Sequence, residues 1–132
     1  MAYNVLIVDD SETIRAVIVK TLKMTGLSIS ETYQAENGKV ALEILERNWV
    51  DIVFADINMP VMNGIEMVDK MVETGQIKVT PVVIVSTEGS QTRIEELISK
   101  GVRAFVRKPI SPELLKSTID DVLGTEKAAE QS

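Results

Sequence analysis

Residues 5–10 read VLIVDD, an unbroken apolar run that stops at two consecutive aspartates. Short apolar runs rich in β-branched residues recur at 52–55, 82–85 and 104–106. Apolar character without alternation is typical of strands that are buried on both faces of a parallel sheet. A weaker segment at 29–34 alternates apolar and polar residues, which favours a half-exposed edge strand. The sequence therefore predicts a parallel sheet of five strands.

Helical periodicity fills the segments between the predicted strands. Apolar residues share one helix face in each of these sets: Ile14, Val17, Ile18 and Leu22; Ala41, Ile44 and Leu45; Met67, Val68 and Met71; Ile94, Leu97 and Ile98; Leu115, Ile119 and Val122. Strands and helices thus alternate five times, with connections too short for a second domain. We therefore predict an α/β, doubly wound fold for residues 1–124 and a frayed C-terminal tail at 125–132.

Residues at the predicted helix ends agree with this division. Asn37 and Asn63 are suited to cap the second and third helices, and Ser111 before a proline is a strong helix start. Gly124 follows the last periodic stretch, where a left-handed C-cap is favoured.

Trp49, the single tryptophan, precedes the third strand, and we expect its ring to be partly buried there.

The composition excludes several classes of chemistry. The 132 residues include no cysteine and no histidine, which excludes disulfides, Cys-based zinc sites, Ser-His catalysis and phosphohistidine on this chain. A net charge of −6 without a basic stripe argues against nucleic acid as a partner. The apolar runs are far too short to span a membrane, and the N-terminus does not resemble a signal peptide. We therefore expect a cytoplasmic protein that binds neither nucleic acid nor membrane.

Polar side chains follow the predicted strands at the points where they end. Asp9 and Asp10 follow the first strand, Asp56 the third, Ser86 ends the fourth, and Lys108 follows the fifth. The carboxyl ends of parallel strands share one edge of the sheet, and ligands bind there where the strand order reverses. If the first and third strands are neighbours, the three aspartates converge at that edge.

Three carboxylates in one place need compensating positive charge, because like charges repel. Mg²⁺ suits carboxylate and carbonyl oxygens and often binds together with a phosphoryl group. The Lys108 ammonium is a second source of positive charge. An aspartate carboxylate is also a competent nucleophile that forms an aspartyl phosphate. The set therefore indicates a site for a phosphoryl group and Mg²⁺.

Each of these residues has a plainer interpretation when taken alone. The paired aspartates could begin a helix, with Asp10 or Ser11 as its cap. Asp56 could belong to an ordinary turn, Ser86 could cap the next helix, and Lys108 could lie in a surface loop. The phosphoryl hypothesis depends on finding all of them at the same sheet edge.

The quoted motifs resemble those of the receiver domain of two-component response regulators. The matching stretches are VDDS at 8–11, ADINMPVMNG at 55–64, VSTE at 85–88 and RKP at 107–109. The resemblance covers roughly residues 4–123 and is greatest to the stand-alone, CheY-like chemotaxis type, because no output domain follows. It implies a flavodoxin-like (βα)5 fold with strand order 2-1-3-4-5.

The resemblance implies a phosphoacceptor and its metal ligands. Asp56 would accept a phosphoryl group from a sensor histidine kinase and become a 4-aspartylphosphate. Asp10 and Asp56 would bind Mg²⁺ directly, with Asp9 acting through water or as a supporting acid. The backbone carbonyl of Asn58 would be a further ligand.

The resemblance also implies a switch. Lys108 would pair with Asp56 at rest and with a phosphoryl oxygen afterwards, and its bond to Pro109 would be cis. Ser86 would hydrogen-bond the phosphoryl group and draw its loop inward, and Phe105 would turn into the space that the loop leaves. That movement would remodel the face formed by helix 4, strand 5 and helix 5, which partners read. Phe105 as a static core aromatic is the alternative.

Two further positions bear on how long the phosphoryl group lasts. Asn58 and Glu88 correspond to positions that border the path of the hydrolytic water in the family. A small amide and an acid there resemble the chemotaxis pattern, which implies rapid dephosphorylation. The resemblance implies a monomeric signalling protein without turnover of an external substrate, with the flagellar motor switch as a candidate target.

Three alternatives stay open on the sequence. A small Mg²⁺-dependent phosphohydrolase could use Asp56 as its nucleophile, although Asn58 stands where a second acid is wanted. A receiver that no longer transfers phosphate could serve as a scaffold. The chain could also be a piece excised from a longer regulator.

Overall fold

The computed structural model describes residues 2–87 and 90–131. Its elements, in chain order, are β1 (Tyr3–Val8), α1 (Glu12–Met24), β2 (Ile29–Ala35), α2 (Gly38–Arg47), β3 (Ile52–Ala55), α3 (Gly64–Thr74), α4 (Gln76–Val79), β4 (Val82–Ser86), α5 (Gln91–Ser99), β5 (Ala104–Arg107) and α6 (Pro112–Gln131). All strand pairs are parallel, and the sheet order is β2-β1-β3-β4-β5. The predicted doubly wound fold and strand order are therefore confirmed.

The sheet is buried on both faces, as its unbroken apolar runs predicted. Successive residues of a strand point to opposite faces, so Leu6 and Val8 of β1 join one core cluster while Val5 and Ile7 join the other. The first cluster packs α2, α3 and α5 against the sheet, and the second packs α1 and α6. Strand β2 lies at the end of the strand order, beside β1, and is partly exposed, which confirms the predicted edge strand.

The caps of three helices agree with the prediction. Asn37 accepts the backbone N–H of Val40 at the start of α2, and Asn63 forms a reciprocal capping box with Glu66 in α3. Ser111 accepts a backbone N–H in the first turn of α6. These side chains satisfy amide groups that have no partner within the helix.

The helices differ from the prediction in number and length. The short α4 was not predicted, because Gly75, at φ 82°, ends α3 and leaves only one further turn before β4. The predicted helix 4 is therefore α5, and the predicted helix 5 is α6. Gly124 was wrongly predicted as a C-cap, since α6 continues past it. Residues 125–131 are helical where a frayed tail was expected, and the boundary between domain and tail stays a prediction.

Three side-chain environments correct the sequence prediction. Val17 and Ile98 were assigned to buried helix faces, but they are 53% and 44% exposed because the buried stripe of each helix is narrower than predicted. Trp49 is 62% exposed rather than partly buried. Its indole N–H donates to the carboxylate of Asp51 at 2.9 Å, which holds the ring at the protein surface. None of the helices among the described residues is long and apolar enough to cross a membrane.

The loop after β3 contains one strained residue. Val61 has φ 67°, which is rare for a β-branched side chain, and it is 76% exposed. Left-handed backbone costs an ordinary L-residue roughly 1–2 kcal/mol, whereas asparagine adopts it more readily. We expect Val61→Asn to raise the free energy of unfolding by about 1 kcal/mol in chemical denaturation. Val79→Asn, at an exposed helical valine, is the matched control and should give no gain; an equal gain in both variants would contradict the strain.

Candidate functional site

The topology brings the three predicted acids together. Val8 and Ala55 are register partners at the ends of the neighbouring strands β1 and β3, so Asp9 and Asp56 leave the sheet side by side. The backbone N–H of Asp56 donates to the carbonyl of Val8 at 2.9 Å, and this hydrogen bond holds the ends of β1 and β3 next to each other. One carboxylate oxygen from each of Asp9, Asp10 and Asp56 lies within 4.8 Å of the others. The geometric prediction of a single acid cluster is confirmed.

The three acids differ in burial. Asp9 is 2% exposed, Asp56 is partly buried, and Asp10 is exposed to solvent. The carboxylate of Asp9 accepts the backbone N–H of Ser11 at 2.9 Å through Oδ1. The carboxylate of Asp56 accepts the backbone N–H of Ile57 at 2.8 Å, also through Oδ1. Among the residues that the structure describes, the Asp10 carboxylate has neither a hydrogen-bond nor an ion-pair partner, so its oxygens are available to a ligand.

Lys108 faces the acid cluster from the other side of β4. Its ammonium contacts Asp9 Oδ2 at 2.6 Å and Asp56 Oδ2 at 3.2 Å. The pairing with Asp56 agrees with the prediction, but the shorter contact, to Asp9, was not predicted. The peptide bond between Lys108 and Pro109 is cis, as the resemblance implied.

The protonation of Lys108 results from two opposed effects. Burial alone would lower the pKa of Lys108, but the hydrogen bond to Asp9 and the charges of Asp56 and Asp9 outweigh burial and raise it. The stability that these ion pairs contribute is therefore complete below the usual lysine pKa of about 10.4. At alkaline pH it is lost as the pH rises through the raised pKa of Lys108 in the folded protein.

Ser86 and Phe105 lie on the two strands that continue this edge. Ser86 ends β4 and is 1% exposed, and its carbonyl accepts the backbone N–H of Lys108 at 3.1 Å. Because β4 lies between β3 and β5, Ser86 stands at the edge between Asp56 and Lys108. Phe105 pairs with Ile84 in register, and its half-buried ring packs against the first core cluster. The phosphoryl-contacting and switch roles of Ser86 and Phe105 stay predictions.

The loop after Asp56 is held in place by backbone contacts. The N–H of Gly64 donates to the carbonyl of Ile57 at 2.8 Å, which closes the β3–α3 loop on itself. Asn58 lies exposed in this loop beside the acids, and its proposed carbonyl contact to a metal stays a prediction. The prediction for Glu88 falls outside the described residues.

The donor set fits a hard divalent cation. Three carboxylates face one ammonium, so two formal negative charges of the cluster remain uncompensated. Mg²⁺ prefers carboxylate and carbonyl oxygens and usually retains several waters, which the exposed Asp10 side of the cluster would accommodate. Asp9, Asp10 and Asp56 are therefore the residues that would hold the ion.

Sequence reasoning missed Arg15, one turn into α1. Its guanidinium donates to the backbone carbonyl of Asp9 at 2.5 Å and to the side chain of Gln34 on β2 at 3.1 Å. No motif marked this arginine, because a contact to a backbone carbonyl leaves no sequence signature of its own. Its location one turn beyond the paired aspartates is the one available signal.

Comparison with known proteins agrees with this geometry. The family model "Response regulator receiver domain" matches residues 5–120. The chain is 38% identical to a "Chemotaxis protein CheY homolog" of Campylobacter jejuni over 123 residues, which are 92% of this chain and 93% of the relative. It is 35% identical to "Chemotaxis protein CheY1" of Helicobacter pylori, over 92% of this chain and 98% of that protein.

Solved structures show the same fold. The chemotaxis protein CheY4 of Vibrio cholerae superposes with a TM-score of 0.81 at 34% identity, over 92% of this chain and 99% of that one. The receiver domain of a putative LuxO repressor protein from Vibrio parahaemolyticus superposes with a TM-score of 0.86 at 26% identity, over 99% and 97%. With the acid cluster, the facing lysine and the strand order in place, the chain belongs to the family of CheY-like response regulator receiver domains.

Proposed function

We propose that this chain is a phosphoacceptor switch in a chemotaxis-type two-component pathway. Asp56 accepts a phosphoryl group from a sensor histidine kinase in a Mg²⁺-dependent reaction. The observation that carries the proposal is the convergence of Asp9, Asp10 and Asp56 opposite the Lys108 ammonium. The names of these relatives, which call them chemotaxis proteins, favour the chemotaxis role. The flagellar motor switch is the proposed downstream target on the family resemblance alone.

Asp56 is the proposed nucleophile because of where it stands in the cluster. It is partly buried, and its two oxygens are oriented by different donors, the N–H of Ile57 and the ammonium of Lys108. One carboxylate oxygen forms a bond to phosphorus while the bond from phosphorus to the imidazole nitrogen of the donor breaks. Asp9 is buried under Lys108, and Asp10 is better placed as an exposed ligand.

The surrounding charges favour the transfer. A bound Mg²⁺ supplies positive charge that offsets the acids and the oxygens of the transferred group. Lys108 exchanges its contact with Asp56 for one with a phosphoryl oxygen, and it is charged at neutral pH because burial does not lower its pKa on balance. The hydroxyl of Ser86, at the edge between Asp56 and Lys108, donates to another phosphoryl oxygen.

The phosphoryl group acts by biasing two conformations. It shifts their balance only through contacts that differ between them. Contacts from Lys108 and Ser86 to a charged group are each worth roughly 1.5–3 kcal/mol. Moving a state from about 1% to about 99% takes roughly 5.5 kcal/mol, so two such contacts are of the right size. The proposed output is a rearranged face of α5, β5 and α6 around Phe105.

A short phosphoryl lifetime follows from the proposed chemotaxis role. Asn58 carries a small amide and is exposed, as is Asp10 in the acid cluster, so water reaches this edge of the sheet. We expect label on Asp56 to decay within seconds to minutes after the donor is removed. Decay is measured by quenching samples over time, and a lifetime of many hours would contradict this expectation. The cytoplasmic location, the monomeric state and the lack of turnover of an external substrate likewise stay predictions.

Phosphoramidate, which carries a phosphorus–nitrogen bond like that of phosphohistidine, tests the proposal. The chain should be labelled stoichiometrically with Mg²⁺ and remain unlabelled after chelation by EDTA. Labelling that does not depend on the metal would contradict the proposed role of the acid cluster. Steady release of phosphate from simple phosphate esters would instead favour a phosphohydrolase.

A further inference from the structure

The guanidinium of Arg15 contacts the backbone of Asp9, a member of the acid cluster. Arg15 Nη1 donates to the backbone carbonyl of Asp9 at 2.5 Å, and its Nε donates to Gln34 Oε1 at 3.1 Å. The arginine comes from α1, whereas Gln34 lies on β2, the strand next to β1. The two contacts therefore fix the loop between β1 and α1, which carries Asp9 and Asp10, to two separate elements.

Every polar group of Asp9 has a hydrogen-bond partner. Its N–H donates to the carbonyl of Ala35 at 3.0 Å, and its carboxylate accepts from Ser11 at 2.9 Å and from Lys108 at 2.6 Å. The contact from Arg15 satisfies the remaining group, the backbone carbonyl. Asp9 is thus held rigidly although it sits at the start of a loop.

The Arg15 contact has a consequence for the next residue. The carbonyl of Asp9 and the nitrogen of Asp10 belong to one planar peptide unit, so fixing the direction of the carbonyl fixes where the Asp10 backbone begins. The Asp10 carboxylate is exposed and has no partner of its own among the described residues. Its place in the cluster is therefore set by its backbone.

We propose that Arg15, itself oriented by Gln34, is a positioning residue that sets the Asp9–Asp10 peptide and thereby holds Asp10 ready for Mg²⁺. The inference deepens the proposed function and rests on it. Groups that orient metal ligands typically change metal affinity when they are removed. Arginine is suited to this role because its planar fork donates to two acceptors in fixed directions, which a lysine ammonium does not.

The test is the Mg²⁺ dissociation constant, measured by isothermal titration calorimetry on the full chain. Arg15→Gln is expected to weaken Mg²⁺ binding by about 10- to 100-fold, the usual range for groups that orient ligands. Arg15→Lys keeps the positive charge, preserves the helix and should still bind Mg²⁺ more weakly than wild type. Gln34→Leu should weaken binding less than either Arg15 variant. Arg47→Gln, which removes an exposed charge from the last turn of α2, should leave the constant unchanged.

Two further readouts separate positioning from a merely structural contact. In metal-free protein, hydrogen exchange at the Ser11 amide, which donates to Asp9, should lose protection in Arg15→Lys. At saturating Mg²⁺, the labelling rate of Arg15→Lys should return to that of wild type, because the ligands are displaced and not removed. A lower melting temperature with an unchanged Mg²⁺ constant and unchanged Ser11 protection would overturn the inference. If the wild-type protein binds no Mg²⁺, both the inference and the proposed function fail. If the wild-type protein binds Mg²⁺ and the Arg15 variants bind it equally tightly, the inference alone fails.

Discussion

Asp56→Asn is expected to reduce phosphoryl labelling by acetyl phosphate to the level of a reaction without protein. The amide has nearly the same shape as the carboxylate, but it lacks the charged oxygen that attacks phosphorus. It also leaves Lys108 with its contact to Asp9, so the fold should remain intact. Radiolabelled acetyl phosphate with Mg²⁺, followed by electrophoresis, measures the effect.

The matched control is Asp120→Asn, which removes an exposed carboxylate from α6. Asp120 pairs with Lys116 at the surface and lies outside the acid cluster, so labelling should match wild type. Stoichiometric labelling of Asp56→Asn would refute Asp56 as the acceptor. Loss of labelling in the Asp120 control would show that labelling reports net charge and not the site.

Gly64→Ala, at the first residue of α3, is expected to be strongly destabilising. A Cβ at Gly64 would lie 2.3 Å from the backbone carbonyl oxygen of Asp56 and 3.0 Å from Cα of Ile57. Backbone atoms at that distance must move, and overpacking of this kind costs on the order of 3 kcal/mol. The displaced carbonyl belongs to Asp56, the proposed phosphoacceptor, so labelling should slow as well.

Gly124→Ala provides the opposite case within the same chain. Gly124 lies inside α6, and a Cβ there meets nothing within 4 Å. Alanine is favoured over glycine in a helix by up to about 1 kcal/mol, so this variant should be neutral to stabilising. Urea denaturation of both variants measures the difference. A Gly64→Ala protein as stable as wild type would contradict the close approach of Gly64 to the backbone of Asp56 and Ile57.

Much of the fold followed from local pattern. The apolar runs ending in Asp9 and Asp56 predicted buried parallel strands, because only strands covered on both faces are apolar without alternation. Parallel strands then placed the acids at one edge, which the neighbouring positions of β1 and β3 confirm. The caps at Asn37 and Asn63 followed for the same reason, since the rules that set them are local.

The errors have physical causes that no local pattern contains. Trp49 is exposed because its indole finds an acceptor in Asp51 at the surface, which depends on how the loop before β3 turns. The shorter contact of Lys108, to Asp9, depends on side-chain reach across β4. Arg15 contacts a backbone carbonyl, and because every residue has one, the sequence does not indicate this contact.

The most direct test of the phosphoacceptor assignment is the position of the acyl phosphate in the labelled protein. Borohydride reduces an aspartyl phosphate to homoserine, which peptide mass spectrometry locates by residue. After reaction with acetyl phosphate and Mg²⁺, homoserine is expected at position 56, and none is expected when EDTA is present. Homoserine at position 9 or 10, or at position 56 regardless of metal, would contradict the account.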